Sequence, residues 1–211
     1  MQVLKNIFQV GGDINGITFD VPDALWNDGN SYILKTEGGL IMFDCGCGDT
    51  MEQIFNNMRY WDLQPEDIRY CILTHPHYDH AGGAHILKER GVKLVAIGET
   101  ADAVASGDER CCGYLYHKIF TPVTVDQLVK DGEKFTLLGV EIEVMHLPGH
   151  SMGCTAFLFE WTGKKLVISG DVIGTLLVGD FGWDGSIDFD KKIYTESLRR
   201  FAKVDSDIML P

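Results

Sequence analysis

The chain is short of several things, and each shortage excludes a class of protein. Basic residues are few: 18 Lys and Arg stand against 31 Asp and Glu, leaving a formal net charge of −13. A surface of that sign repels a phosphate backbone, so nucleic acid is not expected as a partner, and the charge is read as serving solubility. No apolar run approaches the roughly 20 residues of a membrane-spanning helix, so no membrane partner is expected. The opening Met1-Gln2-Val3-Leu4-Lys5-Asn6 has neither the apolar centre nor the cleavage site of a signal peptide. No pair of C-x-x-C motifs is present to build a zinc ribbon. Cys45 and Cys47, and Cys111 and Cys112, are too close in sequence for ordinary internal disulfides. With Cys71 and Cys154 they are read as reduced thiols of a cytoplasmic protein. There is no Gly-x-Ser-x-Gly elbow for a serine nucleophile. Nothing linker-like or of low complexity divides the chain, so residues 1–211, 45% hydrophobic, are expected to form a single domain with a sizeable core.

What is present is concentrated in Thr74-His75-Pro76-His77-Tyr78-Asp79-His80-Ala81-Gly82-Gly83. Three imidazoles and a carboxylate fall within positions 75–80, directly after the apolar run Tyr70-Cys71-Ile72-Leu73. That run reads as a short buried strand, and Ala84 to Arg90 as a helix stopped by Gly91. The four polar side chains therefore lie on a strand-to-helix loop, which can fan neighbours around one point as a straight element cannot. Imidazole and carboxylate together suit zinc, iron or manganese.

Around this loop the pattern is one of strands whose ends carry polar residues. Ile7 to Val10 and Gly16 to Val21 read as strands. Trp26, in a turn-rich stretch, is a candidate wall for a substrate pocket or a cover for the core edge. Ser31 to Thr36 and Leu40 to Asp44 flank the hairpin turn Glu37-Gly38-Gly39, and Asp44 ends the second strand. Met51 to Tyr60 has helical periodicity. Beyond the loop, Val92 to Ile97 reads as a strand and Thr100 to Ser106 as a helix. The mixed segment 107–122 reads as packing surface, with a lid as the alternative. Val123 to Leu128, Glu133 to Leu137 and Val140 to His146 alternate as antiparallel strands do. His150 follows on the tight turn Leu147-Pro148-Gly149. Ala156 to Trp161 and Lys164 to Ser169 form a further hairpin ending in Gly170-Asp171. Lys191 to Ala202 is amphipathic and helical, and Ile208 to Leu210 is a last short strand. If the strands belong to two packed sheets, the ends that carry His75 to His80, His150 and Asp171 can converge on one edge.

These residues resemble the metallo-β-lactamase-fold hydrolases over nearly the whole chain. The resemblance rests on His-Pro-His-Tyr-Asp-His at 75–80, Pro-Gly-His at 148–150 and Gly-Asp at 170–171, in that order and spacing. It implies an α+β fold, a four-layer αββα sandwich with the metals at one edge of the two sheets. It further implies two divalent metal ions, zinc before iron or manganese. His75, His77 and His150 would hold the first, Asp79 and His80 the second, and Asp171 would bridge them. Family members carry a further histidine, usually in Gly-His, after a C-terminal strand. The sequence given stops at Asp207-Ile208-Met209-Leu210-Pro211, so that ligand is not in it and the second site is expected to be weakened. The overall pattern is closest to the glyoxalase II-like and lactonase-like branch. The flavodiiron branch, with glutamate at the position of His77, and the cysteine-ligand β-lactamases are set aside.

The expected chemistry is hydrolysis of a small-molecule ester, thioester or lactone. A bound metal lowers the pKa of water from about 16 to about 7, making hydroxide available to attack the carbonyl. Asp79 is the candidate catalytic residue, orienting the water or passing a proton. Asp44 and His146 are expected to brace the ligands from behind, because metal-bound imidazoles donate their other N–H to a carboxylate or carbonyl. His85 is read as packing and His117 as surface. Trp26, Phe181 and Trp183 are expected to wall an apolar substrate pocket. The alternative is a mononuclear iron persulfide dioxygenase of the same fold, holding its iron through His75, His150 and Asp171; β-lactamase and nuclease activities rank below it. The partner expected is a small molecule, and the assembly allows for a homodimer.

Overall fold

Alternation along the strands sorts the apolar residues into two faces, and that sorting builds the layers. The computed structural model describes residues 1–12, 28–173 and 184–211. The expected strand Gly16 to Val21, Trp26, Phe181 and Trp183 lie outside the described residues. In chain order the elements are β1 (Gln2–Leu4), β2 (Ile7–Gly11), β3 (Ser31–Thr36), β4 (Gly39–Phe43), α1 (Met51–Tyr60), β5 (Ile68–Ile72), α2 (Tyr78–Ala81), α3 (Ala84–Glu89), β6 (Lys93–Ile97) and α4 (Gly98–Ser106). They continue with β7 (Gln127–Val129), β8 (Lys134–Leu137), β9 (Val140–His146), β10 (Thr155–Trp161), β11 (Lys164–Ile168), α5 (Lys191–Phe201) and β12 (Ile208–Leu210). Among the described residues the first sheet runs β1-β2-β3-β4-β5-β6-β7, antiparallel as far as β4 and parallel from β4 to β7. The second runs β12-β11-β10-β9-β8 and is antiparallel except for the β11–β12 pair.

Leu34, Ile41, Phe43 and Ile72 face Ile142, Phe157, Phe159 and Ile168 between the sheets. Phe43 and Phe159 stack there with ring centroids 5.7 Å apart. The alternate residues Ile33, Met42, Cys71 and Leu94 turn outward onto helices α1, α3 and α4. Met51, Ile54, Phe55 and Met58 of α1 meet them at helical spacing. On the far side of the second sheet, Leu147, Ala156 and Val167 pack with Phe201 of α5. The result is the expected four-layer αββα sandwich.

One strand assignment is corrected. Val123 to Leu128 alternates, but only Gln127–Val129 is a strand, and it pairs in parallel with β6 in the first sheet rather than antiparallel with β8. Alternation reports which face is buried and not which neighbour supplies the hydrogen bonds. Here Asp126 decides the register, accepting from the Leu94 backbone N–H at 2.8 Å and from Lys88 Nζ at 2.5 Å. Segment 107–122 folds as two short 3₁₀ turns, Glu109–Cys111 and Gly113–Tyr116. Cys111, Cys112 and Phe120 are buried beneath it, while Tyr114, Leu115 and Ile119 face outward. The six cysteines are buried and none is in a disulfide.

Two contacts bring the strand ends to one edge. The Thr155 N–H of β10 donates to the Thr74 carbonyl at 3.0 Å, tying the second sheet to the loop after β5. Because β12 runs parallel to β11, its C-terminal end lies beside Ser169, whose N–H donates to the Leu210 carbonyl at 2.9 Å. The Pro211 carbonyl then accepts from Asn30 Nδ2 and the Tyr32 hydroxyl at 2.9 and 2.8 Å.

Candidate metal centre

The loop after β5 is held open by one buried carboxylate. Asp44 follows β4 in the left-handed region, at φ 53°, which turns its side chain across to the neighbouring strand end. Its Oδ1 accepts from the Thr74 backbone N–H at 2.7 Å, and its Oδ2 accepts from Thr74 Oγ1 at 2.6 Å and from His80 Nδ1 at 2.8 Å. Thr74 Oγ1 also lies 3.0 Å from His75 Nδ1. The hydroxyl's single proton is committed to Asp44, so Thr74 accepts from His75 Nδ1–H. This fixes the tautomer and leaves His75 Nε2 as a lone-pair donor. That nitrogen is buried and has no hydrogen-bond partner among the described residues.

A second relay orients His77. Its Nε2 lies 3.2 Å from Ser186 Oγ, which donates to Asp188 Oδ1 at 2.6 Å. By the same accounting Ser186 accepts from His77 Nε2–H and frees Nδ1 for a ligand. Asp188 is itself held by the Met152 backbone N–H at 2.9 Å, in the turn that carries His150. Gly149 shapes that turn: at φ 134° it lies against α5, and a Cβ there would come within 2.3 Å of Tyr194 Cα.

The side chains so held form three overlapping groups able to take a cation: His75, His77 and His150; Asp44, His75 and His80; and Asp79, His80 and Asp171, the ligand atoms of each lying within 4.8 Å of one another. His77 Nδ1 and His150 Nε2 are 3.0 Å apart. Two imidazoles on one tetrahedral zinc, each about 2.0–2.1 Å from it, stand about 3.3 Å apart, so the spacing fits an ion with little movement. Asp171 spans the groups, its Oδ1 at 3.3 Å from His80 Nε2 and its Oδ2 at 3.5 Å from His150 Nε2. Asp79 Oδ2 lies 3.5 Å from His80 Nε2. Every predicted ligand, His75, His77, Asp79, His80, His150 and Asp171, is thus at the one edge.

The two groups differ in electrostatics. Burial, with the neighbouring rings, holds the His75 and His77 pKa values well below the usual imidazole range, which keeps them neutral donors. Burial also opposes charge on His80, but Asp79, Asp171 and Asp44 outweigh it and push its pKa well up. Asp79 is raised to about 6, chiefly by burial. Burial pushes Asp171 the same way, but His80 outweighs it and leaves that carboxyl well below its usual range. Carboxylates packed this closely call for positive charge, which a divalent cation would supply.

Of the expected bracing residues, Asp44 touches His80 directly and His75 through Thr74. His146 differs: its Nε2 donates to the Met152 carbonyl at 2.8 Å, so it steadies the His150 turn. His85, on α3, bonds back to the Gly82 carbonyl that precedes the helix. His117, at φ 53°, is exposed on the rim of a cavity of about 280 Å³ that Tyr78 and Tyr116 also line. A larger hollow of about 380 Å³, on the outer face of the second sheet among Lys134, Glu141 and Lys165, includes none of the ligand residues. Trp26, Phe181 and Trp183 remain outside the described residues.

Sequence reasoning missed Thr74, Ser186, Asp188 and Gly29. Gly29 crosses over the acidic group, its N–H donating to the Asp79 carbonyl at 3.0 Å. A Cβ at Gly29 would lie 2.6 Å from His80 Nε2. Thr74, next to a histidine, is the one a hydroxyl-before-ligand pattern could have flagged.

Fold and site together define a metal-dependent hydrolase built on an αββα sandwich. Residues 24–211 match the model of the metallo-beta-lactamase superfamily, and the chain belongs to that superfamily. Among solved structures it is similar to a HARLDQ-motif mutant of a metallo-beta-lactamase from Cronobacter sakazakii, at 26% identity and a TM-score of 0.77, over 100% of this chain and 78% of that one. It is also similar to BJP-1, a subclass B3 metallo-beta-lactamase of Bradyrhizobium japonicum, at 26% identity and a TM-score of 0.77, covering 100% of this chain and 75% of that one. FEZ-1 from Legionella gormanii, at 23% identity and a TM-score of 0.77 over 100% and 77% of the two chains, shares the fold.

Proposed function

We propose that the chain is a binuclear hydrolase that cleaves a small-molecule ester, thioester or lactone. The observation that carries this is Asp171, whose two oxygens face His150 on one side and His80 on the other. That arrangement supports His75, His77 and His150 as ligands of one ion, Asp79 and His80 as ligands of a second, and Asp171 as the bridge. Zinc suits the three neutral nitrogen donors. A divalent pair there supplies an acidic water and an electrophile for the carbonyl oxygen.

The protein's own groups do the rest. Thr74 with Asp44, and Ser186 with Asp188, hold the tautomers of His75 and His77, so the donor nitrogens of these two carry no proton that must first be lost. Asp79, 22% exposed at its side chain, is open enough to orient water and accept its proton. Asp171, 34% exposed, marks the side from which substrate arrives.

A second reading, hydrolysis of a β-lactam amide, is favoured by the solved neighbours, which are metallo-beta-lactamases by name. Metal analysis followed by a panel of thioesters, lactones and β-lactams decides between them. Two zinc ions per chain with turnover of thioester or lactone is the expected result. Turnover of β-lactams alone would replace the first reading with the second. One iron per chain with oxygen consumption on a persulfide would remove both.

A further inference from the structure

The acidic half of the site has a neighbour that belongs to neither the ligand set nor the two relays. Tyr116 ends the second 3₁₀ turn of segment 107–122. Its ring packs on Tyr78, the residue before Asp79, with centroids 5.2 Å apart. Its phenol hydrogen-bonds the Asp79 carboxylate, the O–H donating and the carboxylate accepting. The same ring, with Tyr78 and Lys118, walls the cavity of about 280 Å³ beside the centre. Lys118 is anchored at the rim by Asp49 at 2.8 Å, which ties the turn to the loop after β4.

We propose that Tyr116 is a positioning residue for Asp79: its hydroxyl holds the carboxylate in place, and its ring shapes the cavity beside it. The inference follows from the kind of support each ligand has. His75, His77 and His80 are each braced from behind by a hydroxyl or a carboxylate. Asp79 sits on the four-residue helix α2, at the more exposed side of the centre. A carboxylate with rotatable χ1 and χ2, facing His80 on one side and the like charge of Asp171 on another, has several orientations open to it. A phenol O–H directed at one oxygen removes that freedom and leaves the other oxygen for an ion or a water proton. Tyr116 therefore acts through Asp79 and not on substrate chemistry directly. Its ring, in contrast, reaches the cavity, so hydroxyl and ring have separable roles.

The test uses the full chain stripped with chelator and titrated with zinc against a chromophoric competitor, followed by steady-state kinetics. The role in turnover rests on the hydrolase reading; the role in ion binding does not. Tyr116→Phe keeps the ring and its packing on Tyr78 and removes only the hydroxyl. It is expected to weaken the second zinc equivalent by about 10-fold, the lower end of what losing a ligand's brace costs, and to leave the first unchanged. For an active substrate kcat should fall by a similar factor with KM little altered. Tyr116→Ala should add a rise in KM, because the cavity wall is lost. Unchanged affinity for the second equivalent in Tyr116→Phe would overturn the proposal, as would equal weakening of both equivalents. A chain that turns over nothing in the panel yet shows the selective loss would uphold Tyr116's role and defeat the hydrolase reading alone.

Discussion

The two halves of the centre are built differently. His75, His77 and His150 are buried, and the first two are kept neutral by burial and fixed through Thr74–Asp44 and Ser186–Asp188. Asp79 and Asp171 are partly open to solvent, and together with His80 they carry the charge. The first half is preorganised, its donor nitrogens aimed before any ion arrives. The second is a cluster of carboxylates whose mutual repulsion only positive charge relieves. Affinity at the first should therefore depend on hydrogen-bond geometry, and at the second on the spacing of charge.

The largest effect that would break this comparison is expected from His77→Ala. It removes a neutral donor from the preorganised half and should abolish both metal retention there and turnover. His117→Ala, on the cavity rim, should leave metal content unchanged, and metal analysis of the pair would expose a wrong ligand assignment if the outcomes were reversed. Next comes Gly29→Ala. Its methyl would sit 2.6 Å from His80 Nε2, so the acidic half should lose its ion while the imidazole half keeps one. Two ions bound as tightly as in the parent chain would show that the Gly29 backbone gives way.

Ser186→Ala should be milder, weakening the first ion by about 10-fold, in line with the loss of an outer hydrogen bond to a ligand. Competition titration reads it, and an effect confined to the second ion would contradict the relay. The smallest change is expected outside the centre. Asp190 caps α5, accepting from the Lys192 and Ile193 N–H groups at 2.9 Å each. Asp190→Ala should cost about 1 kcal/mol in denaturant unfolding and leave metal affinity as it was. A loss of metal would mean that α5 sets the His150 turn more tightly than the contact at Gly149 implies.

Much of the architecture was legible because it is local. The α1 boundaries at Met51 and Tyr60, the hairpin around Glu37-Gly38-Gly39, and β9 from Val140 to His146 all follow from spacing and turn residues that act within a few positions. The gathering of the six candidate ligands was legible for a related reason: a strand-to-loop transition packed with imidazole and carboxylate has few structural uses. Val123 to Leu128 was misread because alternation shows a buried face and is silent about the pairing partner. Segment 107–122 gave only its mixed character, and Tyr116 stands out in it solely through a contact with Asp79.

By itself, then, the sequence determined which side chains could hold metal and on which strand ends they would sit. Tertiary structure decided how they are held. The His77–Ser186 hydrogen bond joins residues 109 positions apart, and the one between His80 and Asp44 spans 36. No spacing rule reaches that far, because such contacts are set by how two sheets and their flanking helices pack. The same holds for Gly29. Its lack of a side chain matters only because the fold brings its backbone against His80 Nε2, where a methyl group would occupy the space next to a candidate ligand nitrogen.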